Sequence, residues 1–154
     1  MTCRLLTVSL TTLAIVVACS PAKSTANDKN TFSEYEIVNK QQITWEEIFF
    51  KNDNYVVFFY NETCAYCHEM LNEIIDFASE NVIPTYFLDT NQNDVVFRKD
   101  VKPILYVTSI DDFFIVGTPT ILEIKDGVVV ANIPGLDECL TYMNGKRMNT
   151  NIIL

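Results

Sequence analysis

The sequence contains few basic residues, few glycines and no long apolar run. Its 154 residues include 11 Lys and Arg against 20 Asp and Glu, which gives a formal net charge of -9. This balance argues against a nucleic-acid partner, because phosphate backbones are bound by clustered Lys and Arg. No apolar run reaches the roughly 18 to 20 residues of a membrane-spanning helix. With four Gly, five Pro and about half its residues apolar, the chain is predicted to form one globular domain.

Residues 1–18 have the composition of a secretory signal peptide. They hold one basic residue, Arg4, and no acid, and residues 5–18 are Leu, Val, Ile, Ala, Ser and Thr only. A short cationic start followed by an apolar segment is typical of a signal for export. The segment ends in Val-Val-Ala-Cys at residues 16–19, which resembles the lipobox of bacterial lipoproteins. The resemblance implies that Cys19 becomes the lipidated amino terminus; an ordinary cleaved signal and an uncleaved anchor are the alternatives.

The composition divides the chain into four predicted segments. Residues 1–18 are the lipoprotein signal peptide, and residues 19–33 are the lipid-attachment site with a flexible tether, because they are mostly small and polar. Residues 34–144 form the folded domain and residues 145–154 a short tail. The protein is therefore expected outside the cytoplasm, anchored to a bacterial membrane through the lipid at Cys19.

Strand-like and helix-like patterns alternate along residues 34–144, which predicts an α/β domain. Residues 55–60 form an unbroken apolar run, typical of a central parallel strand that is covered on both faces. Thr44 and Glu47 have the spacing of a capping box, which begins a helix. The Asp-Gly pair at residues 126–127 is typical of a hairpin turn.

These patterns predict an element for most of the domain. The predicted strands are residues 34–39, 55–60, 83–89, 120–125 and 128–132, and the predicted helices begin at residue 44 and span residues 64–81 and 136–144. Gly145 is expected to end the last helix. Residues 90–114 have no clear pattern, and Pro103 and Asp111 are the candidate helix starts within them.

The sequence Cys64-Ala-Tyr-Cys67 stands where the apolar strand gives way to the helical pattern. Two intervening residues bring both sulfurs near one helical turn, close enough to form a disulfide. The first sulfur lies at the positive end of the helix dipole, where a thiolate is favoured. The second lies deeper in the helix and can resolve a mixed disulfide. We therefore predict that Cys64 is the catalytic nucleophile and Cys67 the resolving thiol.

Two other interpretations of this motif involve a bound group. Cys-x-x-Cys followed by His68 is also the spacing of c-type haem attachment, but such a protein would be mostly helical and would not need the apolar run at residues 55–60. A closed zinc site needs four ligands, but the motif supplies only three, Cys64, Cys67 and His68, and Cys139 is the one distant candidate for the fourth. We therefore predict no metal site and interpret Cys139, which has apolar neighbours, as a core residue.

Two stretches of the chain resemble the thioredoxin family. Residues 55–70, with the apolar strand and Cys-x-x-Cys, resemble its active-site strand and helix, and residues 115–135, with Thr-Pro-Thr and a Lys-Asp-Gly hairpin, resemble its second half. The resemblance implies a thioredoxin fold, with a central mixed sheet of about four to five strands flanked by helices. It also implies that Pro119 is cis, that Thr118 faces the substrate, and that thiol–disulfide exchange needs no cofactor beyond the two cysteines. Within the family, the chain is similar to the secreted bacteriocin transport accessory proteins.

Three features depart from the reducing thioredoxins. The residues between the cysteines are Ala65 and Tyr66 rather than Gly and Pro. Because this pair tunes the redox potential, the direction of electron flow stays open between reductant, oxidant and isomerase. Phe58 stands six residues before the first cysteine, where many relatives bury an acid that assists the resolving thiol. The segment 89–118 is longer than in a minimal thioredoxin.

Glu62 and His68 lie on either side of the nucleophile and are candidates for tuning its acidity. His68 follows Cys64 by four residues, and helix side chains lean toward the amino end of the helix. Its ring is therefore expected near the Cys64 sulfur, and a histidine on a solvated helix face is the alternative.

The expected partners are cysteine-containing exported proteins or a membrane redox partner, together with the membrane itself through the lipid at Cys19. Exported proteins meet an oxidising environment in which disulfides form, so a dithiol relay has substrates there. The alternative is a peptide-binding or partner-binding module in which Cys64 and Cys67 form a structural disulfide.

Overall fold

Four strands form one sheet in the computed structural model, which describes residues 31–49 and 53–150. The strands are β1 (Tyr55–Tyr60), β2 (Thr85–Asp89), β3 (Thr120–Lys125) and β4 (Val128–Pro134). The helices are α1 (Glu36–Lys40), α2 (Ala65–Glu69), α3 (Leu71–Glu80) and α4 (Leu136–Thr150), with short 3-10 helices at Phe32–Glu34, Trp45–Glu47 and Ile110–Asp112. The strand order is β2-β1-β3-β4. The predicted mixed sheet flanked by helices is confirmed.

Several predictions concern residues that the structure does not describe. The signal peptide at residues 1–18, the lipid-attachment residue Cys19 and the tether up to residue 30 all lie outside the described ranges. Among the residues that are described, no helix is long and apolar enough to cross a membrane.

Strand β1 is the centre of the sheet, as its unbroken apolar sequence predicts. It pairs in parallel with β2, where Phe58 lies opposite Phe87, and antiparallel with β3, where Phe58 lies opposite Ile121. All six of its residues are buried. Because successive side chains of a strand point to opposite faces, β1 supplies both halves of the core.

The two faces of the sheet are covered in different ways. Phe58 and its alternate neighbours on β1 pack in a core closed by the helices, which includes Cys67 and Cys139. Phe59 and its alternate neighbours pack in a second core, which is closed by residues 43–49 and by inward-facing residues of the segment 95–115. That second cover contains only two short 3-10 helices, so most of its backbone is irregular.

The predicted edge strand at residues 34–39 is wrong. The segment forms α1, which buries Val38 and carries a salt bridge of 2.6 Å between Glu36 and Lys40, one helical turn apart. The position beside β2 is instead occupied by Gln42, which pairs with Phe87. A helix forms here because one buried side chain per turn is enough to dock it, and the sheet edge is already paired.

The predicted limits of the domain are too narrow on both sides. Phe32, assigned to the tether, is fully buried in the helix-covered core. The last helix does not end at Gly145 but continues to Thr150, where Arg147 bonds two glutamates of α3 at 3.2 and 2.7 Å. The predicted tail beginning at residue 145 is therefore wrong over the residues that α4 includes.

Two smaller differences concern the helices. The predicted helix over residues 64–81 is interrupted at Met70, which separates α2 from α3. No helix begins at Pro103, whereas Ser109 caps the 3-10 helix at Ile110–Asp112 by accepting a hydrogen bond from the Asp111 amide. The candidate start at Asp111 is the one that is confirmed.

Candidate redox site

A short loop carries the chain from β1 to the first cysteine. The Asn61 side-chain oxygen accepts hydrogen bonds from the Thr63 amide at 2.8 Å and from the Thr63 hydroxyl at 2.7 Å. The Cys64 amide donates to the Asn61 carbonyl at 3.0 Å. An asparagine that bonds the backbone two residues ahead replaces a backbone turn. Hydrogen bonds within residues 61–64 thus fix the conformation of the loop and place Cys64 at the start of α2.

Cys64 caps α2, as predicted from its position. It adopts the extended backbone of an N-cap residue, and its sulfur accepts a hydrogen bond from the Cys67 amide at 3.2 Å. The residue is half-buried, so its sulfur is the more accessible of the pair. A helix-capping sulfur that remains accessible is suited to attack a disulfide.

Cys67 lies one turn inside α2 and is fully buried. Burial, and secondarily the hydrogen bond with the Cys64 side chain, raises the pKa of the Cys67 thiol from 9.0 to about 12. A hydrogen bond from the Thr118 side chain acts in the opposite direction with a smaller effect. Both thiols are free in the structure, and near neutral pH Cys67 holds its proton. This environment is the one that a resolving thiol needs.

The peptide bond between Thr118 and Pro119 is cis, as the resemblance implies. It brings the Thr118 carbonyl to the redox pair, where it accepts a hydrogen bond from the Cys64 sulfur at 3.5 Å. The loop is held by the Thr120 hydroxyl, which bonds the Gly117 carbonyl at 2.7 Å, and by the Gly135 amide, which bonds the Pro119 carbonyl at 2.9 Å. Two segments that are 54 residues apart in sequence therefore form one site.

His68 and Glu62 bond elsewhere than at the Cys64 sulfur. The His68 Nε2 lies 2.6 Å from the backbone carbonyl of Glu62, to which it donates. The Glu62 carboxylate accepts hydrogen bonds from the Phe32 amide at 3.2 Å and from the Ser33 amide at 3.0 Å. The hydrogen bond of the His68 ring is thus made to the preceding loop, and an effect of the ring on the Cys64 sulfur stays a prediction. Both side chains hold the loop and the amino-terminal segment together.

Phe32 is the residue beside the site that the sequence analysis missed. Its ring stacks on Tyr60 with a centroid distance of 4.2 Å and lies 6.2 Å from the His68 ring. Phe32 was assigned to the tether because the residues around it in the sequence are small and polar. The signal that identifies it is the Thr-x-x-Glu spacing of Thr31 and Glu34, which form a capping box in the structure.

The remaining points of the sequence analysis concern Phe58, Cys139 and the possibility of a bound metal or haem. Phe58 is fully buried in the helix-covered core, so the position where many relatives carry an acid is apolar here. Cys139 is also fully buried, as predicted for a core residue, and its sulfur donates to the Ile133 carbonyl at 3.2 Å. Within the described ranges, no group of three or more His, Cys, Asp and Glu side chains is arranged to hold a metal ion. The mixed sheet is unlike the mostly helical chain that the haem interpretation requires.

Comparison with known proteins identifies the family. A model of the thioredoxin-like domain matches residues 23–138, and the chain belongs to that family. Among solved structures, thioredoxin f from spinach chloroplast in its short form is 18% identical, with a TM-score of 0.50 over 70% of this chain and 92% of that chain. A thioredoxin of Fasciola hepatica is 21% identical, with a TM-score of 0.46 over 63% of this chain and 82% of that chain. No curated protein matches the sequence.

The family and the site together define a general chemical class. The chain has a thioredoxin-like fold, and it carries a Cys-x-x-Cys pair beside a cis-proline. This combination supports a redox protein of the thiol–disulfide type. The narrower similarity to bacteriocin transport accessory proteins stays a prediction.

Proposed function

We propose that the protein is an extracytoplasmic thiol–disulfide oxidoreductase, which exchanges disulfides with exported proteins through Cys64 and Cys67. The observation that carries the proposal is the division between the two thiols. Cys64 is accessible at the start of α2, whereas the Cys67 side chain is fully buried. The Cys67 amide nitrogen lies 3.2 Å from the Cys64 sulfur, so the two residues are in direct contact. A structural disulfide needs no such difference in exposure.

The reaction follows from this division. The Cys64 thiolate attacks one sulfur of a substrate disulfide, a mixed disulfide forms, and the other substrate sulfur leaves as a thiolate. Cys67 then loses its proton and attacks the Cys64 sulfur, which releases the second substrate thiol and leaves a Cys64–Cys67 disulfide. Two electrons pass to the substrate in this direction. The reverse sequence oxidises a substrate dithiol, and the reduction potential decides which direction operates.

The substrate is expected to reach Cys64 from the side of the cis-proline. The Thr118 carbonyl is 3.5 Å from the Cys64 sulfur and belongs to the loop immediately before β3. An extended peptide that pairs with this backbone would carry its own sulfur toward Cys64. We therefore assign Thr118 and Pro119 to substrate binding, and no further cofactor is required for the exchange.

Trapping tests the catalytic roles directly. Cys67→Ser removes the resolving thiol and should hold exported substrate proteins on Cys64 as mixed disulfides that reductant releases. Cys64→Ser and Cys139→Ser are the matched controls, since each also removes one thiol. Cys64→Ser should trap no substrate protein. Cys139→Ser should trap no more substrate protein than the parent chain does. A reduction potential below roughly -300 mV for the Cys64–Cys67 pair would instead indicate a structural disulfide and a binding module.

We further propose that the mature chain is held to the membrane by lipid at Cys19. The support is the sequence alone, a signal-like segment that ends directly in the lipobox-like string. Cys19→Ala should abolish labelling of the protein by a radioactive fatty acid in the bacterium and should leave precursor unprocessed. Labelling that persists in Cys19→Ala would contradict the proposal.

A further inference from the structure

Residues 96–106, here called the basic loop, expose most of the large apolar side chains of the described surface. Of the seven such side chains that are exposed in the described ranges, five belong to this loop, and Tyr106 is 77% exposed. The others in the loop are 39–46% exposed: Val96, Phe97, Val101 and Leu105. Scattered apolar residues on a surface are ordinary, but five in eleven consecutive residues indicate a contact surface.

The loop is held in place at both ends, so the exposure does not come from a loose chain. At one end Phe97 pairs with Ile115, whose amide donates to the Val96 carbonyl at 3.1 Å. At the other end the Tyr106 amide donates to the Val129 carbonyl at 2.8 Å. Between these anchors the side-chain amide of Asn132 on β4 donates to the Ile104 carbonyl of the loop at 3.3 Å. It also donates to the Phe114 carbonyl at 3.4 Å.

The same segment faces the core with other side chains. Val95, Ile104 and Val107 pack against the second core, beneath the loop. Tyr106 has a φ of +62°, a left-handed conformation that is costly for a bulky residue. The fold thus keeps the tyrosine ring in water although Ile104 and Val107, close to it in sequence, pack inward.

The charge of the basic loop is opposite to that of the protein. Seven Lys and Arg lie in the described ranges, and three of them, on α1 and α4, form salt bridges. Of the four that form no salt bridge there, three are in the loop: Arg98, Lys99 and Lys102. With Asp100 as its one acid the loop has a net charge of +2, from three cations and one anion, in a chain of -9.

We propose that the basic loop contacts the surface of an anionic lipid membrane. Exposed aromatic and aliphatic side chains interleaved with Lys and Arg are typical of segments that lie at a membrane interface, where the apolar groups enter the headgroup boundary and the cations meet phosphates. The proposal rests on the proposed anchor at Cys19, which brings the membrane within reach. With the domain already held at the membrane through Cys19, contact of the loop with anionic headgroups adds attraction and fixes which side of the domain faces the lipid.

Membrane contact through this loop orients the redox site. Phe97 pairs with Ile115, which precedes the Thr118–Pro119 peptide by three residues. A loop lying on the membrane therefore holds the substrate-binding backbone close to the membrane plane. The substrate class that this orientation favours is a membrane-bound protein with a disulfide near the lipid surface.

Vesicle binding tests the proposal without relying on the lipid anchor. The mature chain, residues 19–154, with Cys19→Ala is sedimented with vesicles of phosphatidylcholine alone or of equal parts phosphatidylcholine and phosphatidylglycerol. We expect binding to the anionic vesicles, and a loss of at least about 25-fold in Lys99→Glu/Lys102→Glu, since each lost basic residue costs about fivefold in affinity and each new carboxylate adds repulsion from the anionic surface. Lys40→Glu/Lys125→Glu changes the net charge equally and should reduce binding less than about twofold, because it leaves the loop intact.

Three outcomes would overturn the proposal. The first is an equal loss in both double variants, which would indicate attraction by net charge alone. The second is equal binding to both kinds of vesicle by the parent chain. The third is a concentration-dependent dimer, without vesicles, that Phe97→Ser/Tyr106→Ser abolishes, which would make the loop an interface between copies. The exchange of a small disulfide by Lys99→Glu/Lys102→Glu should stay unchanged, so a failure of the membrane contact is distinguishable from a failure of the proposed chemistry.

Discussion

Replacing Cys64 by Ser isolates the buried thiol of Cys67 and tests the division of roles quantitatively. Burial, the largest cause, raises the pKa of the Cys67 thiol from 9.0 to about 12. Serine keeps a hydrogen-bonding group at position 64, so the substitution leaves this cause in place. Three pH units correspond to roughly a thousandfold smaller thiolate fraction at neutral pH, and only the thiolate is alkylated. Full burial of the side chain slows the reaction further.

The pH dependence has a defined sign. A raised pKa means that the neutral thiol is favoured in the folded protein, so the thiolate of Cys67 appears only as the pH approaches about 12. In Cys64→Ser the alkylation rate of Cys67 should therefore rise about tenfold per pH unit over the range in which the protein stays folded. In Cys67→Ser, Cys64 should be alkylated at neutral pH much faster than Cys67 is in Cys64→Ser, because Cys64 is half-buried whereas Cys67 is fully buried and its pKa is raised.

The measurement is a timed pulse of iodoacetamide on the reduced protein, acid quenching and peptide mass spectrometry, which distinguishes the cysteines that remain in each variant. Cys139 is the internal control, because burial raises its pKa to about 12 as well and it should react slowly in both variants. A Cys67 rate within tenfold of the Cys64 rate would refute the reasoning. So would a Cys67 profile that levels off near the ordinary thiol pKa of 9.0.

Three further predictions concern stability. Phe32→Ala should lower the free energy of unfolding in urea by about 3–5 kcal/mol, because the ring is fully buried against Tyr60. Phe32→Leu should lower it by clearly less. A change below about 1 kcal/mol in Phe32→Ala would show that the domain does not need this residue. Gly145→Ala should raise the free energy of unfolding by about 0.5–1 kcal/mol, and with it the melting temperature, since Gly145 is inside α4 and an added methyl group would meet no atom within 4 Å. A lower melting temperature would indicate that the helix ends at Gly145. Arg147→Ala should cost about 1 kcal/mol or less, decreasing as salt is added, because its partners on α3 are half exposed; a salt-independent loss would indicate packing against Phe77 instead.

Local patterns were sufficient to predict the parts of the fold whose reasons are local. The apolar run of β1 needs cover on both faces wherever it lies, and the Asp126-Gly127 pair suits a hairpin turn because both residues adopt positive φ, 51° and 74°. The start of α2 follows from Cys64 and the change of period after it. In each case the physical cause lies within a few neighbouring residues, so the sequence alone determines the outcome.

The tertiary structure decided the remaining elements, because their free energy comes from residues far along the chain. Phe32 is part of the domain because its ring stacks on Tyr60 and its amide donates a hydrogen bond to the Glu62 carboxylate, both about thirty positions later in the sequence. The helix α4 passes Gly145 because Arg147 finds its glutamate partners on α3, 67 and 74 residues earlier. The Thr118 carbonyl meets the Cys64 sulfur because folding joins two segments that are 54 residues apart. A short segment without a strong period has no conformation of its own, and burial against distant partners selects one.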